Sequence, residues 1–130
     1  MIDQLLAKAR QALATADWDL QAGDTDAAAN RCYYAVFYAA WAAFIAHGLD
    51  VPKTHSGMIG EFSRHFVKNG PFGRDLGTTL GKLESLRAYA DYTLEPTPRS
   101  KVEISLEAAR HFVNSVADHI VRIAPDDQAS

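Results

Sequence analysis

Thr25-Asp-Ala-Ala-Ala-Asn30-Arg31-Cys32-Tyr33-Tyr34-Ala-Val-Phe37-Tyr38-Ala-Ala-Trp41-Ala-Ala-Phe44-Ile45-Ala-His47 decides the fold. Asp24 stands before it as an N-cap, and Gly48 follows it as a stop. At 1.5 Å per residue the segment is a helix of roughly 34 Å. From Tyr33 to Ile45 apolar or aromatic side chains fall on every face, so this helix is covered on several sides, either centrally or by a partner subunit. Tyr34, Phe37, Tyr38, Trp41, Phe44 and Ile45 read as core or dimer interface, with Trp18 joining them across a hairpin. The uncharged run Cys32 to Ala46 is shorter than the about 20 residues a bilayer span takes. Asn30 and Arg31 lie too deep to cap the helix and need other partners, a neighbouring helix end or a ligand.

Outward from this helix, Ile2, Leu5, Leu6, Ala9, Leu13, Ala16 and Leu20 recur at helical spacing over Ile2 to Ala22. Gly23 ends that segment, and the short connection folds the two into an antiparallel hairpin. After Pro52, a short helix from Ser56 to Val67 presents Ile59, Phe62 and Phe66 until Asn69-Gly70-Pro71 breaks it. A fourth segment, Arg74 to Tyr92, carries Leu76, Leu80, Leu83, Leu86 and Ala90. Ser100 with Glu103 reads as a capping box for a fifth, where Val102, Leu106, Ala109, Val113, Val116, Ile120 and Ile123 follow a heptad until Pro125. No segment alternates with period two. The chain is expected to be all-α, four long helices and one short one, with residues 1–125 as one domain and 126–130 as a disordered tail.

A chain of 130 residues holds one such domain. The lone Cys32 excludes an internal disulfide framework and suits a reducing, cytoplasmic setting. Met1 to Lys8 lacks the basic region, apolar run and cleavage site of a signal peptide. The formal net charge of −3 argues against broad, non-specific nucleic-acid binding. Residues 53–101 nevertheless hold eight Lys and Arg against five Asp and Glu, a weakly basic middle that suits either one phosphate-bearing ligand or ordinary solvated helix faces. His65, His111 and His119 lack metal-ligand spacing, there is no cysteine pair, and no Gly-rich phosphate loop follows a strand. No metal and no cofactor are expected.

Arg87 follows Glu84 by three residues and precedes Asp91 by four, the spacing of a salt-bridged ladder on one helix face. Alternatively, Arg87 presents its planar fork to a phosphate while Asp91 holds it in place. The two readings separate on Arg87→Ala: a ligand-dedicated arginine leaves stability nearly unchanged, a structural one does not. Tyr89 and Tyr92 read as core or interface aromatics. His55, beside Lys53 at a helix start, either caps that helix or assists anion binding there.

Three motifs in order, Asn30-Arg31-Cys32-Tyr33-Tyr34-Ala35, Lys53-Thr54-His55-Ser56-Gly57 and Arg87-Ala-Tyr-Ala-Asp91-Tyr92, resemble the small stand-alone prokaryotic branch of the HEPN superfamily (higher eukaryotes and prokaryotes nucleotide-binding domain). The likeness spans residues 3–123. It implies an up-and-down four-helix bundle, commonly a homodimer with a cleft between subunits, acting on RNA or paired with a small nucleotidyltransferase in toxin–antitoxin fashion. By that resemblance Asn30, Arg31, Lys53, His55, Arg87, Asp91 and Tyr92 are the candidate RNA- or nucleotide-binding residues, with Arg87 and His55 the catalytic candidates, and Tyr89 or Tyr92 a phenol that accepts a nucleotidyl group. Ribonuclease members carry Arg, four to six residues, then His. This chain has Tyr92 where that His is needed, and a phenol of pKa about 10 is a poor base at neutrality. Metal-independent RNA cleavage would then need another proton acceptor, and His55 serves only if the fold brings it to Arg87. The remaining expectation is a protein-binding helical module without ligand or catalysis.

Overall fold

A computed structural model describes residues 1–124; the tail expected at 126–130 lies outside the described residues. Five helices follow in order, α1 Ile2–Gln21, α2 Thr25–Ala46, α3 His55–Phe62, α4 Arg74–Tyr92 and α5 Arg99–Ile123, with a single π-turn at Ser63–Val67 continuing α3. No strand occurs among the described residues. The fold is all-α, a bundle of four long helices and one short one, as expected.

Helix α2 is central: α1, α3, α4 and α5 all pack on it. Small residues let these backbones approach closely. Ala9 and Ala16 of α1 and Ala28, Ala35, Ala39 and Ala43 of α2 are all without solvent exposure. Gly23, at φ 86°, turns the chain after α1, and Asp24 Oδ1 accepts from the Ala27 N–H to start α2. Cys32 is a buried core residue whose thiol is pushed up to about 12, first by burial. Phe44, Phe62, Phe66, Phe72 and Phe112 close the end of the bundle, with ring centroids 5.0–5.9 Å apart for the pairs Phe44–Phe66, Phe62–Phe72 and Phe62–Phe112. The π-turn delivers Phe66 into this cluster, and Gly70 is required beneath it: a Cβ there would lie 2.4 Å from the Phe66 carbonyl carbon.

Several expectations are corrected. Trp18 does not join the α2 aromatics; it is 75% exposed, because it follows the buried Ala16 by two residues and so points about 200° away from it. No capping box starts α5. Its N-cap is Pro98 without a side-chain cap bond, and Glu103 faces Arg99 at 3.7 Å. The start is set instead by the preceding loop: the N–H and Oγ1 of Thr97 donate to Asp26 Oδ1 at 3.0 and 2.5 Å, and Arg99 Nη1 donates to the Leu20 carbonyl at 2.8 Å. The α5 heptad keeps Val102, Leu106, Ala109, Val113 and Val116 inside, but Ile123 is 40% exposed, while Phe112 and His119 are buried. A straight helix drifts about 20° per heptad, which carries a strict 3.5-residue stripe off the core. No helix of the described residues is long and apolar enough to cross a membrane.

Candidate functional site

Tyr33 is the hub of the polar cluster. Its side chain is fully buried on α2, which obliges the phenol to find a partner. That partner is Nδ1 of His55, 2.6 Å away. His55 is the first residue of α3, but it does not cap it. Thr54 does, accepting from the Gly57 N–H at 2.9 Å, which frees the His55 ring to turn inward against Tyr33, Tyr34 and Phe37, with centroids 5.3, 6.2 and 5.5 Å away.

Arg87 reaches the same ring from α4, its guanidinium carbon 5.4 Å from the Tyr33 centroid. The ladder expected on α4 is present: Nε and Nη2 donate to Glu84 at 3.0 and 2.7 Å, and Nη1 donates to Asp91 at 2.6 Å. Those Glu84 hydrogen bonds are the first reason the guanidinium holds its proton more tightly than usual, opposed by burial. The Tyr33 phenol is raised above the ordinary tyrosine value, first by burial and then by Glu84. Of five guanidinium N–H groups, three point at carboxylates, which leaves two.

Arg31 extends the cluster by one ring. Its Nε and Nη2 donate to Asn30 Oδ1 at 3.1 and 2.8 Å, and the guanidinium lies 5.2 Å from the Tyr34 centroid. Tyr34 in turn meets Tyr33 edge-on at 5.2 Å. Asn30, Arg31, His55, Arg87 and Asp91 therefore form one contiguous set joined through Tyr33 and Tyr34. Lys53 is exposed on the loop two residues before His55. Tyr92 stands apart, 85% exposed at the end of α4. Tyr89, 43% exposed, lines a shallow hollow of about 600 Å³ between α4 and α5, with Lys82, Leu86 and Lys101. Neither tyrosine is core.

Sequence reasoning missed Tyr33 as the organising residue; a tyrosine in a helix without a polar face was the available signal. It also missed a second histidine contact. Nε2 of His47, at the C-cap of α2, lies 2.9 Å from Nε2 of His119 on α5. The rings are 13° from parallel with centroids 5.1 Å apart, so the two nitrogens face each other nearly along the line of centres. Phe66 stands beside His47 and Phe72 beside His119. His65 and His111 make surface pairs with Glu61 and Asp75. Among the described residues no group of three or more His, Cys, Asp and Glu is placed to hold a metal.

A profile of the HEPN domain family matches residues 2–120. A UPF0332 protein of Thermotoga maritima is 38% identical over 85 residues, 65% of this chain and 64% of its own length. The Methanocaldococcus jannaschii protein named "Putative toxin MJ0142" is 25% identical over 122 residues, 92% of this chain and 82% of that one. A UPF0332 protein of Gloeobacter violaceus is 37% identical over 67 residues, 52% of each chain. The matched part thus covers less than two thirds of the Thermotoga and Gloeobacter relatives.

Proposed function

The chain belongs to the HEPN domain family, and from that premise we propose that it is a toxin-like component that binds RNA or a nucleotide and works beside a small nucleotidyltransferase. The observation that carries this reading is the convergence of His55 and Arg87, from different helices, on the one ring of Tyr33. The relative named "Putative toxin MJ0142" agrees with it. In this reading Arg87 and Arg31 offer guanidinium N–H groups to phosphate oxygens, Asp91 orients Arg87, and Asn30 orients Arg31. Lys53 adds positive charge at the exposed edge. Tyr92, exposed at the end of α4, is a free phenol for a partner enzyme to modify. The active assembly is a homodimer, in which the half-exposed face of Tyr34, Phe37, Tyr38 and Trp41 is covered.

A second reading, a protein-binding module without ligand, is favoured by one observation: Glu84 and Asp91 already occupy three N–H groups of Arg87. A metal-independent ribonuclease with His55 as its histidine ranks third.

Induced expression of wild type, His55→Ala and Arg31→Ala, with growth and total RNA integrity followed, separates the three when joined to RNA binding by purified protein. Arrest with RNA cleavage by wild type alone establishes the ribonuclease. Salt-dependent RNA binding with cellular RNA intact establishes the binding component. Absence of RNA and nucleotide affinity, with salt-insensitive capture of a protein partner, establishes the interaction module.

A further inference from the structure

The contact with Tyr33 sets which nitrogen of His55 carries a proton. The phenol is buried and holds its proton more tightly than a free tyrosine. Among the described residues, Nδ1 of His55, at 2.6 Å, is the one partner within hydrogen-bond distance of the phenol, so the buried phenol hydrogen is directed there rather than left without an acceptor. A neutral imidazole has one proton, and an Nδ1 that accepts leaves that proton on Nε2. If the ring gains a second proton it enters at Nδ1. The phenol oxygen then accepts from Nδ1–H, while Nε2 keeps its proton. Both states place an N–H at Nε2, on the side of a half-buried ring away from Tyr33. Nε2 has no lone pair to act as a base in either one.

We infer that Tyr33 locks His55 as a hydrogen-bond donor through Nε2, so that His55 holds a phosphate oxygen of the ligand and does not remove a proton. Tyr33 is the positioning residue and His55 the binding one. The inference rests on the reading that this cluster takes a phosphate-bearing ligand, and it explains how a site without the family's usual histidine still employs one. A phosphodiester of RNA and a phosphate monoester of a nucleotide offer the same oxygen to this donor.

Two measurements test it separately. Long-range ¹H–¹⁵N spectra of the imidazoles, recorded well above the ordinary imidazole pKa, are expected to show His55 of the wild type as the Nε2–H tautomer, and Tyr33→Phe as a mixture. A wild-type Nδ1–H tautomer overturns the inference whatever the protein binds. Fluorescence anisotropy with a short labelled single-stranded RNA, competed by AMP, then reads the donor. The amide nitrogen of His55→Gln stands in for Nε2–H but cannot take a proton, so that variant is expected to bind within about threefold of wild type, while His55→Ala loses about tenfold. Equal loss in both variants overturns the donor role. Competition by AMP at concentrations comparable to the RNA's phosphates assigns the monoester, and its failure the phosphodiester. If the Nε2–H tautomer is present but wild type binds neither probe, the phosphate-ligand reading falls, and the assignment of a ligand to His55 falls with it.

Discussion

Two histidines make short hydrogen bonds to different stretches of α2, and their surroundings could hardly differ more. His55 bonds the Tyr33 phenol at 2.6 Å among Arg31, Glu84, Arg87 and Asp91. His119 bonds His47 at 2.9 Å at the C-terminal end of the same helix, beside phenylalanines, with Arg122 as a nearby charge. A short histidine contact is therefore not by itself a mark of function. At the first position the bond leaves a half-buried ring with charged groups of both signs around it. At the second, each histidine's Nε2 is spent on the other histidine.

The contrast is broken most severely at Arg87. Its side chain is 13% exposed and balances two carboxylates, so Arg87→Ala leaves Glu84 and Tyr33 without their cation. Urea unfolding is expected to show a loss of about 2–4 kcal/mol. That outcome places Arg87 in the framework of the site as well as in its proposed chemistry. A loss below about 0.5 kcal/mol, of the kind seen at ordinary surface positions, returns it to the role of a ligand-dedicated arginine.

The histidine pair comes next. His47→Ala leaves a buried nitrogen of His119 without its partner, an expected cost of about 1–2 kcal/mol by the same measurement. The pair also has a pH signature. Burial first, then His47 and Arg122, lower the His119 pKa in the folded state. The unfolded chain therefore takes up the proton at higher pH than the folded one. Stability is full above the ordinary imidazole value of about 6.5 and falls as pH drops from there toward the lowered folded pKa. Melting temperatures of wild type and His119→Leu between about pH 7.5 and 5 are expected to diverge in slope, the wild type losing more. Parallel curves would remove His119 from the acid response.

Tyr33→Phe is milder, because it removes one hydroxyl and keeps the ring under Arg87. About 1 kcal/mol is expected, the cost of one hydrogen bond. A larger loss would mean that the whole Tyr33–His55–Arg87 unit folds cooperatively, and the double variant Tyr33→Phe with His55→Ala distinguishes the two by its coupling.

The helices were legible because periodicity and punctuation agree: Gly23, Asp24, Gly48 and Pro98 bound elements whose apolar spacing is helical throughout. The site was legible in part. The Glu84–Arg87–Asp91 ladder is a matter of helical spacing within one element, and it appears as expected. The docking of His55 on Tyr33 joins residues 22 positions apart on separate helices, and nothing in local spacing encodes such a contact. The His47–His119 pair spans 72 positions and was hidden for the same reason. The α5 start was misread because its determinants, Asp26 and the Leu20 carbonyl, belong to the first hairpin rather than to the sequence around Ser100.

Lys53 is where the smallest stability effect and the most specific functional one coincide. It is exposed and lies at the edge of the His55 region, so Lys53→Ala is expected to change unfolding free energy by no more than about 0.5 kcal/mol. If single-stranded RNA crosses this edge, a lysine that neutralises one phosphate releases one condensed counterion, and the log–log salt dependence of binding flattens by about 0.7 on its removal. Loss of affinity without a change of slope would mean that Lys53 acts through the shape of the loop ahead of Thr54. No change in either would put the RNA path away from α3, and leave the His55 region, like the His47–His119 pair, a packed contact at a helix junction.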